Sequence, residues 1–245
     1  MSTFAVILPA AGKSSRFKDP HLKKPFVSLD NRPLWMHSAE KFSNRDDVKQ
    51  IILVISPDDR EYFDSKFAAN AALLGIQVVH GGEERVDSVG NALDKVKLDI
   101  DFVAIHDAAR PCIANEWLDK VFSAAEKNDA AILAIPVSGT LKRVQNGVIE
   151  ETVARDNVWE AQTPQVFRRQ LLIDAYAARG NSQPTDEAQL VEQFGKNVAV
   201  VQGSPINMKI TTKEDLRLAE KALKALPKPK IFGDAHPFAD DDHWR

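Results

Sequence analysis

Short apolar runs rich in Val and Ile recur along the chain at Phe4–Leu8, Ile51–Ser56, Gln77–His80, Phe102–Ile105, Ala130–Val137 and Val198–Gln202. Continuous apolar runs of this length, without polar alternation, predict strands covered on both faces. Between them the pattern changes to a helical period. Leu34, His37, Ser38, Lys41 and Phe42 follow Pro33, and Trp117, Leu118, Val121, Phe122 and Ala125 follow Asn115. Strands alternating with helices predict an α/β fold, a mostly parallel sheet between layers of helix. Two further helix starts have a chemical signature: Thr211 with Glu214 reads as a capping box, and Thr185 precedes Asp186 and Glu187 in a first turn.

One stretch departs from the alternation. Leu141–Gln145 and Val148–Val153 flank Asn146-Gly147, the pair that a two-residue type I′ hairpin turn favours because both positions need a positive φ. This predicts antiparallel strands inserted in a parallel architecture, either a surface hairpin at the sheet edge or an arm reaching a second subunit. Past Pro227 the character changes to Pro-Lys-Pro-Lys and ends in Asp240-Asp241-Asp242-His243-Trp244-Arg245, which predicts a solvated tail over 227–245 in preference to a carboxylate–histidine metal site. The expected organisation is therefore one domain over 1–226, carrying a hairpin at about 138–156, and then the tail.

Composition narrows the function classes. Apolar residues make up 44% and charged residues 27%, enough apolar material for a sizeable core. With 32 Lys+Arg against 35 Asp+Glu the net charge is −3, so no overall field for nucleic acid exists. A single cysteine, Cys112, forms no internal disulfide and sits in no metal-ligand spacing, which fits the reducing cytoplasm. Neither a basic leader before an apolar segment nor a long apolar window is present, so neither secretion nor a membrane span is expected.

Four clusters could carry chemistry. The first strand runs into Pro9-Ala10-Ala11-Gly12-Lys13-Ser14-Ser15-Arg16-Phe17, where small residues let backbone amides approach a ligand. A Walker loop would need glycine at position 7, which is Ile7, and no G-x-G-x-x-G occurs. Lys23 and Lys24 follow, so with Arg16 three cations lie close together at a sheet edge; solvated surface charge is the plainer alternative. Next, Gly81-Gly82-Glu83-Glu84-Arg85-Val86-Asp87-Ser88-Val89 places two glycines before a helix, with Ser88 or Asp87 either capping it or meeting a nucleotide. The run Phe102–Ile105 then delivers His106, Asp107 and Arg110 to a strand's carboxyl end, where open α/β sheets put their ligands. Asp107 suits Mg²⁺ and Arg110 suits phosphate, or the two form a local ion pair, while His106 reads as a packed histidine. The last cluster joins Arg155 and Trp159 to Gln162-Thr163-Pro164-Gln165, Thr185-Asp186-Glu187 and Asn207–Thr211, with Lys209 expected in a short apolar strand near an anion.

Taken in order, PAAGKSSRF, KKPF, GGEERVDSV, HDAARP, VARDNVWEAQTPQVF, TDEAQLVE and NMKITTKEDL resemble the 2-C-methyl-D-erythritol 4-phosphate cytidylyltransferases over Ala5 to Ala222. The resemblance implies a Rossmann-like nucleotidyltransferase fold and a homodimer paired through the hairpin arm. It implies that Pro9, Ala10, Ala11 and Gly12 line a CTP pocket, with Gly82, Glu83 and Ser88 facing the cytosine and ribose. Arg16, Lys24 and Lys209 would be the catalytic cations, and Asp107 would stand near the ribose and the Mg²⁺ that the CTP phosphates mainly hold. Arg110, Thr140, Arg155, Thr163 and Lys209, with Asp107, would meet the polyol phosphate, Thr140 and Arg155 serving the neighbouring subunit. Two departures stand out: Lys13-Ser14-Ser15 replaces a more glycine-rich turn, and Gly139 precedes Thr140 where an aspartate is common.

The implied reaction is attack by the acceptor's phosphate oxygen on the α-phosphorus of CTP. Such a nucleophile is already ionised near pH 7, so no Ser–His–Asp or Cys–His set is required, and cations supply the catalysis. Two rivals remain: a cytidylyltransferase for ribitol 5-phosphate, and a non-catalytic module that senses CTP or CMP.

Overall fold

The structure, a computed structural model, describes residues 1–12, 17 and 23–227. Lys13-Ser14-Ser15, Arg16 and the tail from residue 228 onward lie outside the described residues.

In chain order the strands are β1 (Phe4–Pro9), β2 (Ser28–Leu29), β3 (Arg32–Pro33), β4 (Val48–Ile55), β5 (Ile76–His80) and β6 (Phe102–Ile105). They continue with β7 (Ala130–Pro136), β8 (Leu141–Gln145), β9 (Val148–Val153), β10 (Trp159–Arg168) and β11 (Ala199–Gln202). The helices are α1 (Leu34–Ser43), α2 (Arg60–Leu73), α3 (Arg85–Leu93), α4 (Asn115–Asn128), α5 (Arg169–Ala177), α6 (Glu187–Gln193) and α7 (Lys213–Lys224). Each expected apolar run is a strand, with ends moved by up to three residues.

Seven strands form one sheet in the order β11-β7-β10-β6-β1-β4-β5. Because the side-chain period of a strand is two, alternate residues of the apolar runs feed opposite faces. Phe4, Val6 and Leu8 of β1 join Leu53 and Ile55 of β4 under α1, α2 and α4, where Trp35, Phe42, Phe63, Trp117, Leu118 and Phe122 cover them. Ala5 and Ile7 join Ile52, Val54, Val103 and Ile105 on the other face under α3, α5 and α6. A run apolar at every position is what such two-sided burial demands.

The antiparallel strand in this sheet is β10, which pairs with both β6 and β7, and not the hairpin. Among the described residues the hairpin strands β8 and β9 pair only with each other, as a separate two-stranded sheet. Its turn is as the sequence predicts: Asn146 and Gly147 have φ of 51° and 81°. The α7 capping box lies one residue later than expected, with Thr212 and Asp215 exchanging bonds, while Thr211 Oγ1 also donates to Asp215 at 2.6 Å. At α6 the N-cap is Asp186, which accepts from Gln189 N at 2.9 Å, so Thr185 stands just outside the helix. Among the described residues no helix is long and apolar enough to cross a membrane.

Candidate active site

The parallel strands converge at their carboxyl ends. From β4 and β5 the chain returns across β1 to β6, so the strand order reverses between β1 and β6. At such a reversal the loops leave in opposite directions and open a crevice. Here it is a cleft of about 790 Å³.

One wall is the turn after β1. Pro9, Ala10, Ala11 and Gly12 line the cleft, with Ala10 N–H donating to Val54 O at 2.8 Å. The opposite wall is the loop into α3, with Gly82, Glu83 and Ser88. These walls approach closely at Gly81, where a Cβ would stand 2.5 Å from Ala11 Cβ and 2.8 Å from Ser88 Oγ. Neither Ser88 nor Asp87 is the N-cap of α3; that residue is Glu84, whose N–H donates to Asp87 at 3.3 Å. Ser88 Oγ instead accepts from Gly82 N–H at 3.1 Å, holding the loop against the helix. Lys23 and Lys24 close a third side, and Lys23 is paired with Asp59 at 2.9 Å.

At the floor stands Asp107. Lys209 Nζ lies 2.8 Å from its Oδ2, Arg110 Nε 3.6 Å from the same oxygen, and Arg85 Nε 4.0 Å from Oδ1. Burial alone would raise the pKa of this carboxyl, but the charge of Lys209, with Arg85 and Arg110, holds it below the usual carboxylate range. Lys209 stands on an irregular segment, not in the short strand expected; Ile210 N–H donates to Ala109 O at 2.9 Å and ties that segment to the end of β6. The anion expected near Lys209 is Asp107.

His106 is the packed histidine that the sequence suggests. It is fully buried, and burial pushes its pKa down to about 4, so the ring is neutral. Its Nε2 lies 3.0 Å from the carbonyl of Arg110, which can only accept; Nδ1 therefore accepts from Thr163 Oγ1 at 3.2 Å. Thr163 Oγ1 in turn accepts from Asp107 N–H at 3.0 Å. Thr163 is thus buried behind Asp107 instead of facing the cleft.

Arg110 is also withdrawn. Asn207 and Ala161 draw its guanidinium away from the open cleft, their carbonyls accepting from it at 2.7 and 3.4 Å. Asn207 Nδ2 donates to Thr163 O at 2.8 Å, so Arg110 and Asn207 fasten the Lys209 segment to β10. Thr140 and Arg155 are exposed at the base of the hairpin, where Arg155 donates to Ser138 O, and neither lines the cleft of this chain. The structure therefore brings together Pro9 to Gly12, Lys24, Gly82, Glu83, Ser88, Asp107 and Lys209 in one cleft. Ser56, Asp58 and Arg85 line it as well, though nothing in their local sequence sets Ser56 and Asp58 apart.

Comparison with known proteins bears directly on this arrangement. Residues 4–225 match the family model described as 2-C-methyl-D-erythritol 4-phosphate cytidylyltransferase. The chain is similar to proteins of that name from Rhodopirellula baltica, 44% identical over 91% of this chain and 95% of the relative, and from Bacillus pumilus, 40% identical over 91% and 97%. Among solved structures it is similar to the 2-C-methyl-D-erythritol 4-phosphate cytidylyltransferases of Francisella tularensis, with TM-score 0.76 and 33% identity, and of Thermus thermophilus, with TM-score 0.75 and 30% identity. Each of these matches spans 91% of this chain and 100% of the other. With residues 4–225 matched by the family model and relatives 44% and 40% identical aligned over nearly their whole length, the chain belongs to the 2-C-methyl-D-erythritol 4-phosphate cytidylyltransferase family.

Proposed function

We propose that the cleft transfers CMP from CTP to 2-C-methyl-D-erythritol 4-phosphate, giving 4-diphosphocytidyl-2-C-methyl-D-erythritol and pyrophosphate, a step of isoprenoid precursor synthesis by the non-mevalonate route. The observation that carries this reading is the meeting of Asp107 and Lys209 with Lys24 and the Gly82–Ser88 loop around one cleft. Its volume lies within the usual range for small-molecule sites of about 300–1,000 Å³.

The bare backbone of Gly82 and the hydroxyl of Ser88 receive the base and ribose, and the small side chains of the Pro9–Gly12 turn let the triphosphate approach the backbone closely. The acceptor's phosphate oxygen attacks the α-phosphorus, and the bond to the bridging oxygen of pyrophosphate breaks. Repulsion between two polyanions is the obstacle. Lys24 and Lys209, together with Arg16, neutralise the charge that grows on the equatorial and leaving oxygens. Lys209 reaches that position already aimed, since Asp107 holds its ammonium at 2.8 Å. The Thr163–His106–Arg110 contacts hold Asp107 in turn.

Mg²⁺ fits this donor set in one way. Among the described residues no cluster of three His, Cys, Asp or Glu could cage a metal, but Asp107 offers one ionised carboxylate at the cleft floor. Mg²⁺ is commonly held by one or two carboxylates plus substrate phosphates and water, so Asp107 would hold it with the triphosphate. When bound, the ion would neutralise phosphate charge and polarise the α-phosphorus.

The dimer belongs to the same proposal. Val144, Val148 and Ile149 are exposed on a hairpin that, among the described residues, pairs only with itself, and isolated hairpins are marginal in water, so a second copy is their natural cover. Thr140 and Arg155 would then serve the neighbour's cleft. A cytoplasmic address fits the single buried Cys112.

Pyrophosphate release with CTP and Mg²⁺ tests the reading, comparing 2-C-methyl-D-erythritol 4-phosphate, ribitol 5-phosphate and no acceptor. Release with the first alone is the expected result. Ribitol 5-phosphate is included because Gly139 leaves Thr140 without a neighbouring carboxylate; release with it alone would move the protein to another acceptor. CTP binding without release would make the cleft a sensor.

A further inference from the structure

We propose that Glu187 is a positioning residue for the nucleotide half of the cleft, acting through Arg85; this rests on the reading of the cleft as the CTP site. Glu187 opens α6 and is only 1% exposed. A carboxylate so withdrawn from water persists only with a paired charge. Its two oxygens receive the two ends of the Arg85 guanidinium, at 2.8 and 2.9 Å, a two-pronged pairing that fixes orientation as well as distance. Tyr176 packs beside them, its hydroxyl 3.3 Å from Glu187 Oε1 and 3.3 Å from Val86 O.

Arg85 is the first residue of α3, directly after the Gly81–Glu84 loop, and it lines the cleft. Where its guanidinium goes, that loop follows. The start of α6 is itself locked to β10: Gln165 Nε2 donates to Asp186 at 2.8 Å, and Gln165 Oε1 accepts from Ala188 N–H at 3.0 Å. Gln165 lies opposite Ile105, two residues before Asp107. Glu187 therefore ties the nucleotide loop, 102 residues away, to the wall that carries Asp107.

It also settles a competition. Asp107 is the other anion beside Arg85, at 4.0 Å, and it already holds Lys209 at 2.8 Å and Arg110 at 3.6 Å. With Glu187 neutral, Arg85 turns toward Oδ1 of Asp107 and carries the Gly82–Ser88 loop with it, while Lys209 keeps its place on Oδ2. Stability alone does not account for the arrangement, because a buried ion pair is often matched by apolar residues of the same volume. What an apolar pair cannot do is aim the remaining Nε edge of Arg85 at the cleft floor.

Glu187→Gln keeps the volume and one hydrogen-bonding oxygen while removing the charge. The expected result is an increase of about tenfold or more in the CTP dissociation constant, measured by calorimetry, with the KM of the acceptor changed by less than about twofold. Arg85→Lys, which keeps the charge but cannot span both oxygens, should lose CTP affinity similarly and provides the test if Glu187→Gln does not fold. In an Arg85→Gln background, Glu187→Gln should add less than about twofold, since both act through one contact. Unchanged CTP affinity in Glu187→Gln, or in Arg85→Lys where that is the variant tested, would overturn the proposal, as would effects that multiply in the double variant. Wild-type protein that neither binds CTP nor releases pyrophosphate would overturn the reading of the cleft itself, and this assignment with it.

Discussion

The cleft wall and the hairpin arm each contain an Arg–Glu pair of nearly equal length, 2.8 Å for Arg85–Glu187 and 2.6 Å for Arg143–Glu151. In the wall the carboxylate is shut away from water and the guanidinium is mostly covered; in the arm both partners are more than half exposed. Equal distances therefore carry unequal consequences. Removing one partner of a buried pair leaves a charge without solvent or partner, at about 3–5 kcal/mol, whereas an exposed pair contributes about 0–1 kcal/mol. The arm keeps its shape through backbone register and an Asn-Gly turn, and the wall through charges set in place before any ligand arrives. Preorganised charge is what a reaction between two polyanions needs.

The largest effect that would sharpen this contrast is on turnover. Lys24→Ala should lower kcat/KM about 10²–10³-fold, roughly 3–4 kcal/mol of transition-state stabilisation, with an unchanged melting temperature. A loss under tenfold would count against its role. Arg155→Ala on the arm should also be inactive, but for a different reason, since it would serve the partner's cleft. Mixing the two variants should then restore one intact site per heterodimer, and absence of recovery despite subunit exchange would break the link between arm and cleft.

Acid stability comes next, and it belongs to the wall. Unfolded His106 takes up a proton near pH 6.5, whereas burial keeps it neutral in the fold down to about 4. Unfolding therefore gains a proton throughout that window, so stability falls as pH drops from about 6.5 to about 4, by roughly 3 kcal/mol, and this contribution changes no further below. Asp107 acts in the same direction at lower pH: its contribution is complete above the unfolded value of 3.8 and is lost as pH falls toward its depressed folded value. Urea midpoints across pH 4–7 should show the slope, and His106→Gln should flatten it.

Two glycines give a smaller and more local comparison. Gly81→Ala would place a methyl against Ala11 and Ser88 where the walls already touch, which should cost about 1–3 kcal/mol and weaken CTP binding. Gly147→Ala meets nothing within 4 Å, so only its φ of 81° opposes the change, at about 1 kcal/mol, and CTP affinity should not move. Denaturation and calorimetry on both variants separate space from backbone conformation.

How much of this was legible in the sequence differs between the two regions for the same physical reasons. The arm could be read locally, because alternating β-prone residues and Asn146-Gly147 determine their own pairing. The six apolar runs could be read as strands because burial on both faces leaves a continuous pattern. The strand β10 could not, since its outer half is polar and only its pairing with β6 and β7 gives it a place. Nor could α2, where Phe63 and Ala71 alone are fully buried and the period is weak. At the site, the glycine turn and Asp107 stood out because strand ends are where ligands gather. The burial of Arg110 and Thr163 behind Asp107 depended on Asn207, Ala161 and His106, partners that only the tertiary fold brings within reach.

The smallest effect isolates what the arm's charges contribute. Arg143→Ala removes a salt bridge between side chains that are 61% and 56% exposed, so water replaces the lost partner on Glu151 at little cost. The unfolding free energy should change by less than about 1 kcal/mol, and by less still as salt is raised, because exposed pairs are screened. The register beneath it, Lys142↔Thr152 and Val144↔Ile149, remains. A loss of several kcal/mol would mean that the pair is shut away from water after all. Among the described residues nothing covers it, and a second copy seated on the arm would supply that cover.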